Sequence, residues 1–246
     1  MPVALNDLRL LLIQIRDGAE VARHEQICVI EQSGLEPAQI RAVNVVTERV
    51  PDSSDADEAH IVIIGGAGAH SACDDDHFTG DLIRFVRAMA DRGKPMLGCC
   101  WGHQFIARAL GGEVIHDAAN AEVGAVKLEL TGAGMVDAVF GACPRVFPAL
   151  AGHQDRVSRL PSGGVELARN DGNPNQAFCI DGTMIYGTQF HSELTPERLI
   201  ERLSVYRHYM PDDSEFDELR KQIHPTPDAR RILRRYLEIA AQRIGA

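Results

Sequence analysis

The chain has 246 residues, 45% hydrophobic and 24% charged, an ordinary globular mix with enough length to bury a sizeable core. Its net charge of −10 argues against the basic footprint of a nucleic-acid binder or of a protein held on anionic lipid. No run approaches the ~20 apolar residues of a membrane-spanning helix, and six scattered cysteines in a chain this long read as the reduced thiols of a cytoplasmic protein.

LRLLLIQI (8–15) reads as a strand, and it follows Asn6 and Asp7 rather than the basic lead of a signal peptide. A helix is expected over 19–33, a second strand at IRAVNVV (40–46) and a third at HIVIIGG (60–66). GDLIRFVRAMADRG (80–93) is an amphipathic helix with Gly93 as its stop signal. PMLGCC (95–100) is a short buried strand, and GHQFIARAL (102–110) the helix after it. Strands alternating with helices imply a parallel sheet with crossovers, and the near-continuous apolar runs fit strands covered on both faces. Further on, AVKLELTG, RVSRLP, VELARN and AFCIDG are short strand-like pieces between glycine, proline and asparagine turns, and MIYGTQFHSE (184–193) is another strand. Thr195-Pro196 opens a helix. Residues 211–226 are polar and proline-bearing. The last helix carries Ile232, Leu233, Tyr236, Leu237, Ala240 and Ile244 at helical spacing, either to pack on the core or to form a homodimer face. No domain boundary is visible, so 1–246 is read as one domain, with its core at about 5–210 and a helical extension at 211–246.

Within KPMLGCCWGHQ, Gly98-Cys99-Cys100-Trp101-Gly102 has the form G-x-C-x-G between a strand and a helix. That is the geometry of a nucleophile elbow with cysteine in place of serine. Glycines two positions either side let the chain bend sharply. The central thiol, Cys100, then stands above the carboxyl edge of the sheet at a helix N-terminus, whose positive end favours a thiolate. The N–H of Trp101 can point at a developing oxyanion. Cys99 would face back into the core. The competing reading is a glycine-flanked core turn with two buried thiols.

A nucleophile needs a base, and the base needs an orienting group. His191 follows an apolar strand, and Glu193, two residues on in an extended segment, faces the same way. GGAG (65–68) ends a strand where backbone N–H groups can approach an anion. Each signal alone is weak. All three lie at expected carboxyl ends of strands, where open α/β sheets build their sites.

Taken together, these motifs resemble the class I glutamine amidotransferases, whose pattern is a glycine-proline-glycine loop, a G-x-C-x-G-x-Q elbow and a late H-P-E. Here the elbow reads PMLGCCWGHQ, the late motif GTQFHSE, and GHQDRVSRLPSG (152–163) resembles the H-x-D-x-V…L-P segment of GMP-synthetase-type domains. The resemblance covers roughly residues 60 to 195. It implies a flavodoxin-like α/β fold: an open, mostly parallel sheet with helices on both faces and a small antiparallel portion. It implies Cys100 as nucleophile, His191 as general base and acid, and Glu193 as its orienting carboxylate. Gly66 and the N–H of Trp101 would form the oxyanion hole, and Gln104, His153 and Asp155 would bind the substrate. The departures are Ala67 and Ser192 in place of prolines, and Trp101 in place of a small or aliphatic residue, which would reshape the substrate pocket.

The implied chemistry needs no metal or organic cofactor. The substrate is L-glutamine or another γ-glutamyl compound, and an ammonia-using synthetase would be a separate polypeptide, since no Walker loop or dinucleotide fingerprint appears. A γ-glutamyl amide or peptide hydrolase is the alternative on the same fold, and a non-catalytic regulatory relative the third reading. A redox or metal role for the paired cysteines is disfavoured, because adjacent cysteines do not close an unstrained disulfide and the C-x-x-C spacing is missing. His70, Asp74, Asp75, Asp76 and His77 form an acidic loop near the glycines, read as solvated rather than metal-binding.

Overall fold

The computed structural model describes residues 2–205 and 213–244. The first half alternates as its hydrophobic pattern requires, through β1 (Leu10–Ile15), α1 (Ala19–Ser33), β2 (Ile40–Asn44), β3 (Ile61–Ala67), α2 (Thr79–Asp91), β4 (Met96–Cys99) and α3 (Trp101–Ala109). The second half brings β5 (Glu113–His116), β6 (Glu122–Leu130), α4 (Gly132–Val136), β7 (Val146–His153), β8 (Asp155–Arg159), β9 (Gly164–Arg169), β10 (Ala177–Ile180) and β11 (Ile185–Thr188). Three helices follow: α5 (Pro196–Val205), α6 (Asp213–Gln222) and α7 (Pro227–Arg243).

The main sheet has nine strands in the order β2-β1-β3-β4-β11-β10-β9-β6-β7. Pairing is parallel from β2 to β11 and antiparallel from β11 to β7. β5 and β8 form a separate antiparallel pair. This is the expected α/β architecture. Alternation along the strands sorts the core into two layers. Leu10, Leu12, Ile61, Ile63, Leu97 and Cys99 face one side, with Val29 of α1 and Leu233, Tyr236 and Leu237 of α7. Leu11, Ile13, Val62, Ile64 and Met96 face the other, with Phe85 and Met89 of α2 and Phe105 of α3. The chain leaves β1 for β2 on one side and then crosses to β3 on the other. The crevice at this switch point therefore opens at the carboxyl ends of the parallel strands.

One strand is shorter than expected, and β7 is not among the expected elements. β7 is a strand despite Pro148, because it lies at the sheet edge, where a missing N–H breaks no inner ladder. The strand expected over 184–193 stops at Thr188, whose register partners, Cys99 of β4 and Ala177 of β10, are the last on either side. His191 returns to the sheet only through one bridge, its N–H donating to Leu150 O at 2.8 Å. The polar segment expected from 211 contains a helix, α6, packed on β6, while the boundary expected near 210 lies outside the described residues. α7 packs on β7 and α1, and Tyr236 Oη donates to Met184 O at 2.9 Å. No helix among the described residues is long and apolar enough to cross a membrane.

Leu237 is fully buried between α7 and the sheet. Leu237→Ala is expected to lower unfolding stability by about 2–5 kcal/mol, read from the urea midpoint. A loss under ~1 kcal/mol would show that α7 unfolds separately from the sheet.

Candidate active site

β4 ends at Cys99 and α3 begins at Trp101, so strand becomes helix across a single residue. Cys100 takes φ 52° and ψ −105°, a sparsely populated conformation for a residue with a Cβ. Two close backbone approaches hold it there. A Cβ on Gly102 would stand 2.1 Å from Ile64 O, and one on Gly98 would stand 2.4 Å from the Gly102 backbone. Cys100 N donates to Thr188 O at 2.8 Å, tying the elbow to the end of β11. As the first helical residue, Trp101 has an N–H with no intrahelical acceptor. Cys99 points into the core with Leu97 and Tyr186, and burial pushes its thiol far up.

His191 comes to the elbow from the end of β11. Its Cε1 and the Cβ of Cys100 stand 3.4 and 3.7 Å from the point where Gly66 would carry a Cβ, so ring and thiol share the wall made by that glycine. His191 Nδ1 lies 2.7 Å from Glu193 Oε1. Burial works against a charged ring, but Glu193 and Cys100 outweigh it and hold His191 above its ordinary value. Burial likewise works against a charged Glu193, and the ion pair with His191, then Arg202, holds that carboxyl well below the usual range. Arg202 of α5, which sequence reasoning missed, donates from Nη1 to the same Oε1 at 3.1 Å. It sits nine residues past Glu193, and no spacing rule for a helix following an extended segment points to it.

Gly66 N, expected to face an oxyanion, instead donates to Glu25 Oε1 at 3.2 Å. Glu25 belongs to α1 and is fully buried. Its Oε1 also accepts from Arg16 Nη2 at 2.5 Å, and its Oε2 accepts from Gln14 Nε2 at 3.0 Å. The α1 carboxylate reaches β3 because Gly65 has no side chain, and a Cβ there would stand 2.5 Å from Glu25 Oε1. Of the two expected donors, one is therefore engaged within the fold.

The residues expected to bind substrate also have partners. Gln104 Nε2 donates to Asp155 O at 2.6 Å and to Gln189 Oε1 at 3.1 Å. Gln189, absent from the expected set although it lies in GTQFHSE, approaches Cys100 Sγ to 3.9 Å through Nε2. Asp155 Oδ2 accepts from Ser71 Oγ at 2.5 Å and from Ala72 N at 3.1 Å, while Oδ1 lies 2.8 Å from His116 Nδ1. His153 Nε2 lies 2.9 Å from Glu122 Oε2, and its Nδ1 lies 3.1 Å from Asp155 O. The GHQD segment thus ties β5, β6 and the loop after the glycines together, a structural task that its letters do not declare.

The class-I glutamine amidotransferase family model matches residues 31–203. The chain belongs to that family. The class I amidotransferases are cysteine-type amidohydrolases. The chain is 30% identical to a glutamine-hydrolyzing GMP synthase subunit of Pyrococcus furiosus over 63% of its own length and 80% of that protein's. It is 30% identical to gamma-glutamyl peptidase 5 of Arabidopsis thaliana over 64% of its length and 62% of that protein's. Against the GMP synthases of two Shewanella species it spans about a fifth of their length. A glutamine amidotransferase of Thermotoga maritima superposes with a TM-score of 0.74 at 19% identity, covering 96% of this chain and 98% of that one, and shares the fold.

Within this amidotransferase, the Trp101 ring turns into the core instead of shaping the pocket. It stacks on Phe105 at 4.5 Å and 14° and meets Phe78 edge-on. His70 stands between two carboxylates, 2.8 Å from Asp76 and 3.1 Å from Asp17, and ties the loop after the glycines to the turn after β1. A second cysteine–histidine–glutamate set exists on α1 and α5, with Cys28 Sγ 3.7 Å from His24 Nδ1 and His24 Nε2 3.3 Å from Glu201. Burial pushes the Cys28 thiol up to about 12 and pulls His24 down, which disfavours a thiolate–imidazolium pair there. Its thiol lacks a helix N-terminus, and its imidazole lacks a buried carboxylate.

Gly102→Ala tests how closely the elbow is built. With a carbonyl oxygen 2.1 Å from the new methyl, α3 must shift off β3. The expected cost is about 3 kcal/mol or more in chemical denaturation, with loss of activity. Gly132→Ala, which meets nothing within 4 Å, should change stability by less than ~0.5 kcal/mol.

Proposed function

We propose that this amidotransferase hydrolyses the side-chain amide of L-glutamine to glutamate and ammonia through Cys100, His191 and Glu193. The observation that carries the reading is the meeting of a strained cysteine at the start of α3 with a buried imidazole whose far nitrogen is held 2.7 Å from a carboxylate. The Cys100 thiolate attacks the amide carbon, and the tetrahedral oxyanion forms beside the free N–H of Trp101. His191 passes its proton to the departing nitrogen, ammonia leaves, and a γ-glutamyl thioester remains on Cys100. Neutral His191 then takes a proton from water, which attacks the thioester and releases glutamate. Each oxyanion donor contributes on the order of 10²–10³ in rate. Gly66 becomes the second donor when substrate draws its N–H from Glu25.

The ammonia goes to a synthetase on a separate polypeptide, a reading supported by the likeness to a GMP synthase subunit. The whole chain acts as one domain. A second reading has its own support. The likeness to a gamma-glutamyl peptidase favours a γ-glutamyl peptide or amide over free glutamine.

The two readings share a nucleophile and differ in substrate. Incubation with 6-diazo-5-oxo-norleucine followed by peptide mass spectrometry is expected to give one adduct, on Cys100, blocked by glutamine and absent in Cys100→Ser. An adduct on Cys99, or none with intact activity, would overturn the assignment. Comparing kcat/KM for glutamine and for γ-glutamyl peptides then separates the readings, since a ratio above ~10 in favour of the peptide rejects the glutaminase.

A further inference from the structure

Arg202 has a job that packing does not explain. Its side chain is 6% exposed and that of Glu193 3%. Its Nη1 donates to Glu193 Oε1, while among the described residues Nε and Nη2 have no hydrogen-bond partner. A guanidinium taken out of water with one acceptor is a costly element, and an aliphatic side chain would fill the same space more cheaply. What the cation supplies is a fixed positive charge on the side of Glu193 away from the ring.

That charge matters because His191 must alternate between two states. While the ring is an imidazolium, it neutralises Glu193 itself. Once the proton has gone to the leaving nitrogen, Glu193 would be a lone buried carboxylate, which pulls the proton back to the ring. A guanidinium keeps its charge throughout. Sharing Oε1, Arg202 also fixes the carboxylate rotamer, which keeps a proton on Nδ1 and leaves Nε2 to serve Cys100.

We propose that Arg202 is a positioning residue: it holds Glu193 against His191 Nδ1 and supplies the counter-charge that lets the imidazole release its proton. The inference rests on the reading of Cys100, His191 and Glu193 as the catalytic set. No other group near the pair replaces it: on α5 itself, Arg198 is engaged by Glu31 and Glu201. Across Gly66, Arg16 is matched by Glu25. On the α1 side, Cys28 and His24 are kept neutral by burial, and so is Cys99 beneath the elbow. Cys100 lies beside the ring at the Gly66 wall, and its negative form favours the imidazolium.

The test compares the full-length protein with Arg202→Met, Arg202→Lys and Glu193→Gln, and the double variant Arg202→Met/Glu193→Gln. The His191 ring titration is followed by NMR and assigned by its loss in His191→Asn, which needs no substrate. In Arg202→Met the titration should move upward by about one pH unit. The kcat should fall about tenfold, with KM changed less than ~3-fold, and Arg202→Lys should recover most of both. On the Glu193→Gln background, Arg202→Met should cost less than ~2-fold further. An unmoved titration with only a lower melting temperature would overturn the proposal, as would a full tenfold loss on the Glu193→Gln background. Should Arg202→Met not fold, Arg202→Gln, which keeps a donor without the charge, must show the same titration shift or the proposal fails. A wild-type protein that hydrolyses neither glutamine nor γ-glutamyl peptides defeats the proposed function, while the titrations still judge Arg202.

Discussion

Cys100 is held at φ 52° because the chain on either side of it comes closer to its neighbours than any Cβ would tolerate. Gly102 lies against the carbonyl of Ile64, and Gly98 lies against the backbone of Gly102. The elbow is therefore a three-body contact between β3, β4 and α3, and it moves only if the sheet moves. His191 is placed by the same contact at one remove. Cys100 N is bonded to Thr188 O, the last strand residue before the chain turns toward the histidine. Cys100 and His191 are fixed to each other through one backbone hydrogen bond and a run of three residues.

Two buried arginine–glutamate pairs flank this centre. Arg202–Glu193 stands behind the imidazole, and Arg16–Glu25 stands beneath the glycine loop. Each pair balances its own charge, so the site is electrostatically quiet except along the line from Glu193 to Cys100. The second pair also takes the N–H of Gly66. That links the glycine loop to α1, an element far from it in sequence.

Much of this was legible in the sequence, and the reason is local physics. The elbow, the glycine strand end and the His191–Glu193 spacing depend on turns and on extended geometry over a few residues, which the sequence displays directly. The alternation of β1, β3 and β4 with α1 to α3 was equally plain from apolar periodicity. What escaped depends on distance along the chain. Pro148 argues against a strand unless β7 is known to be at an edge, and that is a property of the finished sheet. Arg202 and Glu25 look like ordinary surface residues of helices until packing seals them. Asp155 and His153 carry the right letters in a familiar spacing, but their partners, Ser71, His116 and Glu122, come from three other segments.

Trp101 is the chain's only tryptophan, and it sits one peptide bond from Cys100, stacked on Phe105. All indole fluorescence of the protein therefore originates at the elbow, from a buried ring in an aromatic setting. Changes at Cys100, whether alkylation of the thiol or a shift of α3, act on the emission of a single fluorophore without any label. Turned into the core, Trp101 becomes a built-in optical reporter of the elbow.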